Sequence, residues 1–303
     1  GETRQVQAKM LVNAAGPWVE ALLKCIGRAR NDRGVRLVKG SHLVVPRLFE
    51  GDHAFMLQNP DRRIVFAIPY ENQFTLIGTT DEPWTQEPGK AEISQGEIDY
   101  LCDTVNRYFE KQIAPSDIVW SYAGIRPLYD DSAANASAVT RDYVLDFEKG
   151  DATQAPLLSI FGGKITTYRK LAEHVMDHVA QIFPQAVSPW TAGAKLPGGD
   201  LPGGDFEAFV RSLSSRWPGM PDKLLRRLAR AYGTKVVKVL GEAHSPADLG
   251  ENFGGGLHAG EIDYLVANEW ARSAEDVLYR RSKLGLHVSP DVGKAIDAYL
   301  AKR

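Results

Sequence analysis

The sequence predicts a chain of mixed α/β and α+β architecture that ends in a small all-α domain. Three observations carry this. A short apolar run, Pro156 to Phe161, meets Gly162-Gly163 and then an amphipathic helix, the strand-turn-helix of an α/β unit. Apolar and β-branched segments crowd residues 35–81, which predicts an antiparallel sheet. Beyond a Pro/Gly-rich linker at 196–204 the remaining pattern is helical.

In order, Val6 to Asn13 alternates and then turns apolar, predicting a strand that runs into Ala14-Ala15-Gly16-Pro17, with a helix from about Trp18 to Cys25. Val35 to Val45, Arg63 to Pro69 and Phe74 to Gly78 predict three strands, the last two joined by a hairpin loop at Tyr70-Glu71-Asn72-Gln73. A helix is expected over 94–111 and a strand over Asp117 to Ala123, with Pro127 as a strand end. Residues 126–155 are irregular apart from a strand at Tyr143 to Phe147. From Ile165, Tyr168, Leu171, Ala172, Val175, Val179 and Ile182 keep a helical period. Further helices are predicted near 205–216, 221–239, 261–271, 273–284 and 290–302. The chain divides accordingly at 1–34, 35–125, 126–185 and 190–303. The hexapeptide Gly-Glu-Ile-Asp-Tyr-Leu occurs at 96–101 and again at 260–265; acidic residues in the first turn of a helix account for both copies.

The 303 residues carry 36 Lys+Arg against 38 Asp+Glu, a net charge of -2 that offers nucleic acid no global attraction. Cys25 and Cys102 form no Cys-x-x-Cys and no secreted-type framework, which predicts a reducing compartment. No run approaches the roughly 18 apolar residues of a membrane span. The chain opens on Gly-Glu-Thr-Arg-Gln-Val-Gln-Ala-Lys with its first methionine at Met10, which predicts a piece of a longer protein.

The candidate chemistry starts at the Gly162-Gly163-Lys164 turn. A strand that turns into a helix start presents free backbone N–H groups and a positive dipole end, and Lys164 adds a full charge, so an electron-rich group belongs there. The spacing is not that of a nucleotide P-loop. Gly254-Gly255-Gly256-Leu257-His258-Ala259 matches G-x-G-x-x-A, but no strand leads into it, so a loop is expected. His174 and His178 lie four apart on a polar helix face; a solvated face is expected there, and no metal. Arg126, fixed before Pro127, is placed either to grip a phosphate or carboxylate or to form a surface ion pair. His42, in an apolar strand, is either a general base or a satisfied core residue.

Six separated motifs together resemble the flavin-dependent glycerol-3-phosphate dehydrogenase family, the aerobic, quinone-linked enzyme. They are Val12 to Trp18, Lys39-Gly40-Ser41-His42, Ile77-Gly78-Thr79-Thr80-Asp81, Gly124-Ile125-Arg126-Pro127-Leu128, Thr140-Arg141-Asp142-Tyr143, and Phe161 to Glu173, in the family's order. The resemblance implies the remainder of a glutathione-reductase-like FAD domain with an inserted antiparallel-sheet substrate domain. The family's N-terminal βαβ unit is not in this sequence, so the piece alone is expected to be inactive.

The implied reaction is oxidation of sn-glycerol 3-phosphate to dihydroxyacetone phosphate by hydride transfer to FAD, with electrons passed to a membrane quinone. In that reading Ala14, Ala15 and Gly16 line the cofactor, together with Gly162, Gly163, Lys164, Ile165 and Thr166, Gly163 allowing close approach. Arg126, Lys164 and Thr166 bind substrate, and His42, Arg126 and Lys164 carry the catalysis. It further implies peripheral attachment at the cytoplasmic face of a bacterial inner membrane and leaves room for a homodimer. Arg169 and Lys170, and the cluster Arg226, Arg227 and Arg230, are the sequence's support for that attachment. Two alternatives stay open: an oxidase that gives electrons from glycerol phosphate or an amino acid to oxygen, and a non-catalytic interaction or docking role for 190–303.

Overall fold

The computed structural model describes residues 2–29, 34–130, 142–185 and 188–303. They fall into two compact units, Gly1–Ala192 and Gly193–Arg303. In chain order the first holds β1 (Leu11–Asn13), α1 (Val19–Cys25), β2 (Val35–Pro46), β3 (Phe55–Gln58), β4 (Ile64–Tyr70), β5 (Phe74–Gly78), β6 (Glu82–Pro83), α2 (Gln95–Tyr108), β7 (Trp120–Tyr129), β8 (Val144–Glu148), β9 (Leu157–Phe161) and α3 (Tyr168–Val179).

Two sheets organise this unit. In the smaller, β9 lies between β1, parallel to it, and β8, antiparallel. Val19 and Leu23 of α1 pack with Leu157 and Phe161 to form its core. The strand expected from Val6 begins only at Leu11, and Val6 stays 86% exposed: alternation without a neighbouring strand makes no sheet. The larger sheet is antiparallel, in the order β3-β4-β5-β2, with β6 and β7 also paired to β2. Its back face, Leu43, Val45, Val65 and Ile77, buries against Leu101, Cys102 and Val105 of α2.

Pro127 does not end a strand. It lies within β7, opposite Leu37, whose carbonyl accepts from the Trp84 N–H on the other side, so the missing proline donor is not needed there. β3 was not foreseen from the sequence.

In the second unit α4 (Phe206–Arg216), α5 (Asp222–Tyr232), α6 (Val236–Leu240), β10 (Asn252–Gly254), β11 (Leu257–His258), α7 (Ala259–Glu269), a π-helical turn at Asp276–Arg281 and α8 (Asp291–Leu300) enclose one apolar core. It is nearly, not wholly, α: the glycine run expected to be a loop turns the β10–β11 hairpin. The single helix expected over 221–239 is broken at Gly233. That residue has a φ of +53°, and a Cβ on it would collide with the Gly198 carbonyl.

Candidate active site

Parallel pairing of β1 with β9 brings their carboxyl ends together, Asn13 opposite Ser159. Each strand then runs into a helical start: β1 through Ala14 and Ala15 into a 3-10 turn at Gly16–Trp18, β9 through Gly162 and Gly163 into one at Ile165–Thr167 that continues as α3. Ligands of open α/β sheets bind at such edges. The Asn13 amide secures the first corner, donating to the Val19 carbonyl and accepting from the Ala15 N–H.

The second corner is open. Lys164, Ile165 and Thr166 are exposed, Ile165 by 86%, and no side chain caps the turn. The two glycines serve the chain itself. Gly162 (φ +73°) sits where a Cβ would lie 2.9 Å from the Asp142 carbonyl, and Gly163 (φ +105°) makes room for Leu171. Gly16 (φ +55°) has nothing within 4 Å of its Cβ position. Open space on the Cβ side is thus present at Gly16.

The second group lies on the front face of the larger sheet. Register aligns Met56, Phe66, Gly78, His42 and Tyr122 in one row across five strands. The His42 ring lies over Gly78, where any Cβ would strike it, and stacks on Tyr122 at 4.8 Å and 6°. Burial, helped by the positive Arg126, lowers its pKa from 6.5 to about 4. The imidazole is thus neutral at pH 7, and its buried Nδ1 has no partner among the described residues. That protonation state suits a proton acceptor.

Arg126 lies on the same face, opposite Val38. Its guanidinium crosses Gly40, donates to Thr79 Oγ1 (2.7 Å) and pairs with Asp81 (2.5 Å). Of the two roles the sequence left open, the ion pair is present, and it fixes the orientation of the fork. Between Arg126 and Tyr122 on β7, Gly124 has nothing within 4 Å of its Cβ position. The sheet face is therefore open over Gly124, between the row that holds the neutral imidazole and the strand position of Arg126. The backbone N–H of Tyr129, three residues after Arg126, is 3.4 Å from the Cβ position of Gly162, so the turn and Arg126 stand about 10 Å apart along one strand.

The predicted residues thus form two neighbouring groups in one unit. Lys164 and Thr166 stand at the turn's mouth, and the described geometry does not bring them to His42. Of the motif at 140–143, Thr140 and Arg141 lie outside the described residues. Sequence reasoning missed Asp81 and Thr79 as partners of Arg126, Tyr122 as the stacking ring, and Glu97 behind the sheet. Thr79 and Asp81 lie inside the motif Ile77 to Asp81, and Ser94-x-x-Glu97 is a capping-box pattern.

Other expectations change. His174 Nδ1 is 2.6 Å from the Tyr143 hydroxyl and His178 packs on Phe147, so this helix face is only partly solvated; no metal cluster occurs among the described residues. Most of these basic residues sit in ion pairs within the chain. Arg169 and Lys170 pair with Glu173, Arg226 with Glu207, and Arg227 with buried Glu261. Among the described residues no helix is long and apolar enough to cross a membrane.

The profile of the FAD dependent oxidoreductase family matches residues 1–169. The chain belongs to that family. As a member of it, the chain also carries, over residues 189–301, a match to the C-terminal domain of alpha-glycerophosphate oxidase. It is 48% identical over 99% of its length to a glycerol-3-phosphate dehydrogenase of Pseudomonas aeruginosa, of which it covers 58%. It is 45% identical over 95% of its length to a D-erythritol 1-phosphate dehydrogenase of Brucella abortus, covering 57%. To the aerobic glycerol-3-phosphate dehydrogenase of Escherichia coli it is 43% identical over its whole length, covering 60%. The X-ray structure of the glycerol-3-phosphate dehydrogenase from Bacillus halodurans complexed with FAD superposes with a TM-score of 0.82, at 31% identity, over 98% of this chain and 58% of that one. The chain thus spans about three-fifths of the length of these four proteins.

Proposed function

We propose that the protein carrying this chain oxidises sn-glycerol 3-phosphate to dihydroxyacetone phosphate with FAD as hydride acceptor and passes the electrons to a membrane quinone. The observation that carries the proposal is the pairing, on one unit, of an open turn at the carboxyl edge of parallel strands with a neutral histidine and a fixed arginine on the adjoining sheet face. The residues fit the cofactor. Gly16 leaves an open cradle, and the uncapped turn at Ile165–Thr167 offers N–H groups to an electron-rich ring. When bound, FAD supplies the two-electron acceptor.

The chain's own residues do the rest. Ala14, Ala15 and Gly16 keep their edge low so that a flat ligand can lie close. The N–H groups of residues 165 and 166, with Lys164 beside them, favour negative charge where it develops. Arg126, oriented by Asp81 and Thr79, holds the substrate's anionic oxygens, and Lys164 and Thr166 bind from the other side. His42 accepts the C2 hydroxyl proton. A phosphate against Arg126 offsets the charge that depresses His42 and so raises its proton affinity as substrate binds. Quinone, a peripheral place on the cytoplasmic face of a bacterial inner membrane, and a homodimer belong to this reading, and the paired basic residues lend membrane contact no support of their own.

The test is the flavin absorbance of the full-length protein between roughly 350 and 500 nm, followed without oxygen as glycerol 3-phosphate is added. Bleaching is expected; an unchanged spectrum contradicts the proposal. Two further readings have specific support. The match at 189–301 favours an oxidase, which would form peroxide from oxygen without quinone. The Brucella relative favours a longer polyol 1-phosphate, which would bleach the flavin at lower concentration than glycerol 3-phosphate.

A further inference from the structure

Behind the front face lies a carboxylate that the proposed mechanism does not use. Glu97 in the first turn of α2 is 2% exposed. One oxygen accepts from the hydroxyls of Ser41 (2.8 Å) and Thr80 (2.7 Å). The other takes the Ser94 N–H (2.8 Å), the Ser94 hydroxyl (3.0 Å) and the Lys39 ammonium (2.8 Å). A helix cap alone needs only the Ser94 bonds. The remaining three partners come from β2, which carries His42, and from the segment after β5, whose Thr79 and Asp81 bind the Arg126 guanidinium.

The bonds have a direction. A carboxylate only accepts, so Thr80 must spend its one proton on Glu97. Its oxygen is then free to accept from the Ser41 N–H at 2.9 Å, which locks Thr80 to the residue before His42. On either side of Thr80 stand the groups that fix Arg126: Thr79 Oγ1 at 2.7 Å and Asp81 at 2.5 Å, with the Thr80 carbonyl at 3.4 Å. Both carboxylate oxygens accept, one toward the hydroxyls and one toward the cap and Lys39; an amide, with one accepting oxygen, can serve only one side. Burial alone would raise the carboxyl's pKa; the bonds from Lys39, Ser94, Thr80 and Ser41 outweigh it and bring the value to about 2.

We infer that Glu97 is a positioning residue for the front-face site: acting through Thr80 and Ser41 from the opposite side of the sheet, it sets where Arg126 and His42 stand. This deepens the function proposed above and rests on it for the identity of the substrate, but not for the geometry.

Two readouts on the full-length, FAD-loaded protein test it, the KM for glycerol 3-phosphate against kcat, and the titration of the His42 ring followed by NMR. Glu97→Gln keeps a side chain able to form the capping box and removes the charge. It is expected to raise KM about tenfold with kcat changed less, and to move the His42 midpoint up from its low value as Arg126 swings off. Ser94→Ala, which removes the cap hydroxyl but leaves Lys39, Ser41 and Thr80 on Glu97, is expected to lower Tm and move neither. If Glu97→Gln lowers Tm as Ser94→Ala does, with KM and the His42 titration unmoved, Glu97 is only a cap and the inference is wrong. Should Glu97→Gln not fold, Thr80→Val removes the relay hydroxyl and must shift the same two readouts; if it shifts neither, the inference also falls. A wild-type protein inert toward glycerol 3-phosphate would defeat the proposed function, while the His42 titration would still decide the role of Glu97.

Discussion

The repeated hexapeptide gives the two units a shared piece of sequence with different work. In both copies glycine and glutamate are the second and third residues of a helix, α2 and α7, and both glutamates are 2% exposed. First-turn acidity explains why the residues recur, but not why they are buried. Glu261 accepts from both guanidinium nitrogens of Arg227 (2.9 and 2.6 Å) and from the Tyr232 hydroxyl (2.7 Å), all inside the helical unit's core. Burial and that carboxylate push the Tyr232 hydroxyl's pKa up, so it stays a donor. Glu97 reaches instead into strands that carry a site. One motif thus anchors a scaffold in one unit and aligns chemistry in the other, and what differs is the neighbour, not the helix.

The largest effect expected from breaking this contrast is on stability. Glu261→Ala leaves half-buried Arg227 with only the Gly256 carbonyl and takes the acceptor from the buried Tyr232 hydroxyl, which should cost about 3 kcal/mol in denaturant unfolding of the second unit. KM for glycerol 3-phosphate should not move; if it rises as for Glu97→Gln, the two glutamates do not differ in kind. Next comes Arg126→Ala. Loss of charged hydrogen bonds of about 3 kcal/mol predicts a fall in kcat/KM on the order of 100-fold, read by steady-state kinetics. An unchanged kcat/KM would remove Arg126 from the site.

The sequence made some of this legible. The strands β4 and β5 and the turn between them follow from alternation and from the polar residues 71–73, where Glu71 and Asn72 take positive φ. The β9 turn and α3 were visible in Gly-Gly followed by a helical period. The break at Gly233 was not, because it depends on a distant carbonyl, that of Gly198. His42 and Arg126 could be named by residue type. Their neighbours could not, since Thr79 and Asp81 meet Arg126 only once β2 pairs with β5 on one side and β7 on the other. Ser94-x-x-Glu97 announced a helix start, but which way the carboxylate would face depends on the sheet beneath it.

Smaller effects sharpen the picture of the corner. Gly162→Ala places a side chain at φ +73°, against the Asp142 carbonyl, and should cost about 1–3 kcal/mol with reduced FAD retention after gel filtration. Retention equal to wild type would separate that turn from the cofactor. A further effect is in acid. The unfolded chain binds a proton on His42 near pH 6.5 that the folded chain refuses until about pH 4, so stability falls between those values. Glu97 adds a second loss as pH drops from about 4.5 towards 2. Thermal melts at stepped pH should show the first loss vanish in His42→Gln; its persistence would assign the loss elsewhere.

The most direct measurement is a crystal structure of the full-length protein with FAD. The isoalloxazine should lie at the joined carboxyl edges of β1 and β9, within about 3.2 Å of the N–H groups of Ile165 or Thr166, with its substrate side toward Arg126 and His42 and the open face over Gly124. An isoalloxazine bound away from that edge, or one whose substrate side faces neither residue, would contradict the assignment.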